Sequence, residues 1–235
     1  MPFGFYGKLP CQGDFVSRRL PWEFTELWDA WMQRGLLAAR GQLGERWLEH
    51  YLSTPVWRFR LAPGLAGAQG WVGLWFPSVD RVGRHFPFTI AAPVPADAGE
   101  PTLVANNDDR WIDLEDQALK GLDPYLTLEQ FDALVLAMAY PYDRALDNSA
   151  AGVAGSTTVT GVRVLSEDTA PASAAKACAE WVASPALFFS WGSERVPISL
   201  VSAGGLVETR VFTGFLTGEW PALGGGEVIG ARIAS

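Results

Sequence analysis

Apolar positions along this chain recur with two different periods, and the periods divide it into elements. Phe24, Leu27, Trp28, Trp31, Met32 and Leu36 return at steps of three and four residues, which predicts a helix from Trp22 with one aromatic stripe turned to a core. Gly35, Gly41 and Gly44 each weaken a helix interior by about 1 kcal/mol relative to Ala, so the helix is expected to bend or break before Glu45 to Leu52 resumes it. Thr54-Pro55 ends that piece. Val56 to Leu61 alternates apolar and basic residues, the pattern of a half-exposed strand with Arg58 and Arg60 on one face. Between Trp71 and Ala91 two apolar runs flank a charged turn, and Val, Ile, Trp and Phe in the runs predict two strands.

The remaining chain reads the same way. Phe3 to Leu9 predicts a short first strand ended by Pro10, and Gly13-Asp14 marks a turn. Pro93 to Pro101 is a linker of Pro, Ala, Asp and Gly, the one candidate boundary inside an otherwise single domain spanning residues 1–235. A helix is expected from about Leu103 to Leu122, acidic at its start through Asp108, Asp109, Asp113, Glu115 and Asp116. A second follows from Leu128 to Tyr140, with Thr127 as N-cap and Pro141 beyond its end. Val159 to Leu165 predicts a strand, and Ala172 to Ala183 an Ala-rich helix carrying Cys178 and Trp181. Leu187 to Trp191 and Pro197 to Val201 predict a hairpin, Phe212 to Leu216 a helical turn, and Gly224 to Gly226 the start of a frayed tail. Strands in both halves with helices between them predict an α/β domain, a largely antiparallel or mixed sheet covered by helices.

Composition narrows the function classes. With 235 residues, 49% of them hydrophobic, and 11 tryptophans, the chain can bury a substantial core. A net charge of -8 argues against nucleic acid or anionic lipid as the main partner, because both need a basic surface. Only three of the 18 basic residues are lysines (Lys8, Lys120, Lys176), so arginine dominates and bidentate pairing is favoured. Cys11 and Cys178 have neither metal-site nor disulfide-framework spacing. The first residues lack the pattern of a signal peptide, and no run reaches the roughly 18 apolar residues of a membrane span, which predicts a cytoplasmic location without membrane insertion. There is no GxxxxGK[ST], GxSxG, HExxH or strand-borne GxGxxG, so no catalytic residue, cofactor or metal is expected. Gly4-Phe-Tyr-Gly-Lys8 has too few glycines, and no helix start after it, to cradle a phosphate.

Polar chemistry gathers in two loops. Pro77 to Pro87 carries Asp80, Arg81, Arg84 and His85, and Cys11 to Pro21 carries Asp14, Arg18 and Arg19. In each, one acid stands within reach of two arginines, which predicts either loops fixed by internal ion pairs or an arginine of each group pointing outward as a binding anchor. An alternative is a hydrolase or nucleotide-handling enzyme that gathers Asp14, Asp80, Arg84 and His85 in one cleft, with His85 as general base. It requires the two loops to meet.

Several spaced blocks carry a family resemblance. Gly4-Phe-Tyr-Gly-Lys-Leu-Pro10, Gly13-Asp-Phe-Val16, Arg19-Leu-Pro21, Trp28-Asp-Ala-Trp31, Pro55-Val-Trp-Arg-Phe59, Pro77-Ser-Val-Asp-Arg-Val-Gly-Arg84 and Phe86-Pro87 closely resemble the TagF family of type VI secretion-associated proteins. The match is dense over residues 3–92 and thins to Ser190-Trp-Gly192 and Ile198 to Leu206 beyond them. His85 and Phe88 stand where the family pattern has tyrosine and leucine, which speaks against a catalytic histidine. The resemblance implies a three-layer α/β sandwich. It further implies a bacterial, cytoplasmic, non-enzymatic repressor that acts after translation by binding a forkhead-associated scaffold protein of the secretion apparatus.

Overall fold

The computed structural model describes residues 2–94, 103, 109–140, 162–166, 184–220 and 228–229. Among the described residues nine strands form one sheet: β1 Gly4–Gly7, β2 Val16–Arg18, β3 Trp57–Leu61, β4 Trp71–Phe76, β5 Phe88–Pro93, β6 Val162–Ser166, β7 Ala186–Ser190, β8 Ser199–Ala203 and β9 Val228–Ile229. Their spatial order is β2-β1-β5-β4-β3-β7-β8-β6-β9, antiparallel throughout except for the parallel β6 and β9 pair. The sheet is therefore mixed at one edge and antiparallel elsewhere. The helices are α1 Trp22–Leu43, α2 Trp47–Leu52, α3 Asp109–Leu119, α4 Leu128–Ala137 and α5 Gly214–Thr217, with short 3-10 turns before α2, after α3 and before α5.

Strand side chains alternate between two apolar clusters, as the two-residue period of a strand requires. Trp57, Phe59 and Leu61 of β3, Trp71 and Trp75 of β4 and Phe188 of β7 join the stripe of α1, with Tyr51 of α2 and Phe215 of α5. Phe5, Val72, Leu74, Phe76, Phe88, Ile90, Leu187 and Phe189 join Trp111, Leu114 and Ala118 of α3 and Phe131 and Val135 of α4. Buried indole N–H groups are satisfied across the molecule: Trp28 donates to Thr89 Oγ1 at 2.8 Å, Trp31 to the Val207 carbonyl at 2.8 Å and Trp57 to the Phe215 carbonyl at 3.1 Å.

The expected break before Glu45 falls at Gly44, where φ is 56°, and α1 runs unbroken through Gly35 and Gly41. Gly35 is retained for space, since a Cβ there would lie 2.3 Å from the Phe212 ring. Strand β3 is buried on both faces: Arg58 and Arg60 do share a face, but α3 covers it. Arg58 Nε donates to Glu115 of α3 at 2.5 Å, Arg58 Nη1 donates to the Leu103 carbonyl, and the guanidinium lies against Trp111 and Phe189. Finally, residues 16–18, read as loop, form an edge strand on β1. Thr127 caps α4 as expected, in a reciprocal capping box with Gln130. The strand near Val159, the hairpin near Leu187 and the helical turn near Phe212 are present with shifted ends. The expected 172–183 helix with Cys178 and Trp181, Asp108, and residues 224–226 lie outside the described residues, while Val228–Ile229, in what reads as a frayed tail, pairs with β6 as β9.

Candidate functional site

Strands β4 and β5 pair until Phe76 faces Phe88, and residues 77–87 form the loop between them. Its tip is a tight turn: the Asp80 carbonyl accepts the Gly83 N–H at 2.9 Å, Gly83 adopts φ 84°, and Val79 bridges His85. Glycine suits that left-handed position because a Cβ would strain it. The loop is tied down at several points. Tyr51 Oη of α2 donates to the Ser78 carbonyl at 2.8 Å and accepts the Ser78 N–H at 3.0 Å. Ser78 Oγ donates to the Lys8 carbonyl at 2.7 Å, just past the end of β1.

Asp80 closes the structure. Its Oδ1 accepts the N–H groups of Val82 at 3.0 Å and Arg84 at 2.9 Å, and its Oδ2 accepts Lys8 Nζ at 2.9 Å and Arg84 Nε at 2.7 Å. The Asp80 side chain is 0% exposed. Burial alone would raise this carboxyl, but the hydrogen bonds from Lys8, from the Arg84 backbone and side chain and from the Val82 backbone outweigh it and hold Asp80 well below the usual carboxylate range. A carboxylate with all its near lone pairs occupied is a structural anion rather than a proton acceptor.

The two loops do meet. Arg81 N–H donates to the Gln12 carbonyl at 2.8 Å, and Arg84 Nη2 donates to the Gly13 carbonyl. Of the pairs expected from spacing, only Asp80 with Arg84 forms among the described residues. Asp80 takes Lys8 and Arg84 and leaves the exposed Arg81 side chain without an ion pair among the described residues. Asp14 accepts the Phe15 N–H at 2.8 Å and pairs with neither arginine. Arg18 is exposed and donates to the Ser17 carbonyl. Arg19, at φ 60°, reaches instead to Asp132 of α4 at 2.6 Å, to the Phe3 carbonyl at 2.8 Å and over the Phe5 ring. These three contacts hold a backbone conformation that a non-glycine residue seldom adopts. His85 stands edge-on to Trp47 and Tyr51 at 5.8 and 5.6 Å, with no hydrogen bond among the described residues. Asp80 and Arg84 are thus bonded to each other, but among the described residues no hydrogen bond links them to the side chains of Asp14 or His85, as a catalytic relay would need.

Lys8 is the residue that sequence reasoning missed. It is one of three lysines, sits between a strand and Pro10, and is 5% exposed. A lysine at a strand end two residues before a proline was the available signal, but its acid lies 72 residues away.

This arrangement defines a class: an α/β protein built on one large sheet, with a polar loop locked by a buried ion pair at the sheet's end. Residues 4–138, more than half of the chain, match the model of the TagF N-terminal domain, type VI secretion system-associated. The chain belongs to this family. It is also similar to a solved structure, described as the crystal structure of PA0076 from Pseudomonas aeruginosa PAO1 at 2.05 Å resolution, with 35% identity and a TM-score of 0.74 over 94% of this chain and 97% of that one. A comparison with curated proteins gave no match. Among the described residues no helix is long and apolar enough to cross a membrane, and no group of three or more His, Cys, Asp and Glu could hold a metal ion.

Proposed function

We propose that this protein is a cytoplasmic, non-enzymatic accessory factor that restrains type VI secretion after translation by binding a forkhead-associated scaffold protein of the apparatus. The observation that carries the reading is the locked loop. Its acid is saturated internally, its histidine packs as an aromatic ring, and its remaining polar groups are the outward Arg81 and the half-exposed Arg84. Ordered loops that present arginine suit recognition, since the guanidinium offers five donors in a fixed fork. Family membership supports the link to type VI secretion. The two apolar clusters on opposite faces of the sheet support a three-layer αβα arrangement, and the continuous nine-strand order supports one domain over residues 1–235.

Titration calorimetry of the purified chain against the purified scaffold tests the reading. The parent is expected to bind, and Arg81→Ala to weaken binding by about tenfold, the 1.4 kcal/mol of a modest interface anchor, at unchanged melting temperature. Absence of binding by the parent would overturn the assignment. Arg19, engaged by Asp132 and the Phe3 carbonyl, is expected to affect stability instead.

A further inference from the structure

Helix α2 carries a pair of leucines on the side away from the core. Tyr51 and His50 face inward and are buried, whereas Leu48 and Leu52, one turn apart, are 42% and 58% exposed. Open grooves flank them. Beside Leu48 lies a groove of about 550 Å³ lined by Arg40, Glu45, Trp47, Arg84 and His85. Beside Leu52 lies one of about 360 Å³ whose walls include Pro10, Val56, Pro77, Val79 and Leu119. The leucines make the ridge between the two.

The grooves differ in chemistry. Arg40 lies 5.4 Å over the Trp47 ring and has no acid partner among the described residues. Arg84 gives Nε to Asp80 and Nη2 to the Gly13 carbonyl, yet its side chain is 55% exposed. Trp47 Nε1 is shielded from solvent and has no acceptor among the described residues. Among the described residues Glu45 is the single acid of the lining, so this groove is basic there within a chain of net charge -8. The second groove is mainly apolar.

From this juxtaposition we infer that α2 and its two grooves form the docking surface for an acidic segment of a partner protein. A carboxylate enters between Arg40 and Arg84, and apolar side chains cover Leu48 and Leu52 and enter the groove walled by Pro10 and Pro77. The leucines stand about 6 Å apart, the span of two residues of extended chain, so the segment presents its apolar anchors at alternate positions. A stacked guanidinium is held in place before binding, so little side-chain freedom is lost when it meets a carboxylate. The inference rests on the reading of this chain as a binding protein and names the surface and the chemistry it takes.

The probe is a fluorescein-labelled peptide, Glu-Glu-Ser-Leu-Ser-Leu, with one control in which glutamines replace the glutamates and another in which serines replace the leucines. Fluorescence anisotropy is expected to show binding of the parent peptide, weakening of each control by about fivefold or more, and loss in added salt. Arg40→Ala and Leu52→Ser proteins, with melting temperatures near the parent's, are expected to bind about fivefold or more weakly, while Arg34→Ala on the exposed side of α1 binds as the parent does. Failure of the parent to bind, equal binding of the glutamine control, or unchanged binding by both variants overturns the inference. Calorimetry of the same panel against the scaffold separates the two readings. If the parent does not bind the scaffold while the peptide results hold, only the scaffold assignment falls. If the scaffold binds parent and variants alike, only the docking surface falls.

Discussion

At the scale of single residues, the Asp80 carboxylate organises the surface described above. Its side chain joins the end of β1 through Lys8 to the loop tip through Arg84, and it fixes the turn by accepting two backbone N–H groups. Asp80→Asn keeps the shape but loses the charge, and it turns one acceptor into a donor facing other donors. A lower melting temperature is therefore expected at neutral pH. The sign of the pH dependence follows from the depressed carboxyl. A group held lower in the folded state than in the unfolded chain contributes stability that is full above its unfolded value, about 4 for Asp, and is lost as pH falls below it toward the folded value. The gap in melting temperature between parent and Asp80→Asn should thus be constant from neutral pH to about 5 and narrow as pH falls below 4. A gap that widened on acidification would mean that Asp80 does not carry its charge in the fold.

Helix α1 shows what happens at the scale of an element. Propensity treats its two internal glycines alike, with a gain of about 1 kcal/mol for Ala at either. Packing separates them. A Cβ at Gly41 meets nothing within 4 Å, so Gly41→Ala is expected to raise stability by about 0.5 to 1 kcal/mol. At Gly35 the same atom would fall 2.3 Å from the ring of Phe212, which is 0% exposed and cannot withdraw into solvent. Gly35→Ala is expected to destabilise by about 1 to 3 kcal/mol, the usual range for overpacking. Denaturant unfolding of the two variants should give shifts of opposite sign. In α4 the reciprocal cap of Thr127 and Gln130 predicts a loss of about 1 kcal/mol for Thr127→Ala by the same measurement.

For the molecule as a whole, Arg58 couples the middle of the sheet to α3. It emerges from a central strand, is 0% exposed, and meets the Glu115 carboxylate at 2.5 Å between the rings of Trp111 and Phe189. Glu115→Ala leaves the guanidinium buried without that carboxylate, which is expected to cost about 3 to 5 kcal/mol in chemical denaturation. Replacing both residues, Arg58→Met with Glu115→Leu, should recover most of the loss, because an apolar pair of similar volume removes the desolvation cost along with the attraction. A double variant as unstable as Glu115→Ala would show that shape rather than charge limits this site.

The sequence by itself marked most of the strands and helices, since a period of two or of 3.6 follows from backbone geometry and is visible within a few residues, but it did not mark the short strands β2 and β9. It exposed the polar loop between two apolar runs, the cap at Thr127 and the stripe of α1. Tertiary structure decided everything that depends on which strands become neighbours. The alternation in β3 resembles a half-exposed strand, but the strand order places it between β4 and β7, and α3 covers its basic face. Spacing alone set Asp14 beside Arg18 and Arg19, and Asp80 beside Arg81 and Arg84, of which only the Arg84 pair forms among the described residues. The fold gave Arg19 to Asp132 and joined Asp80 to Lys8 across 72 residues. A charge takes the partner that lets it remain paired once water is excluded, and that partner is fixed by the path of the chain in space, which no local pattern encodes.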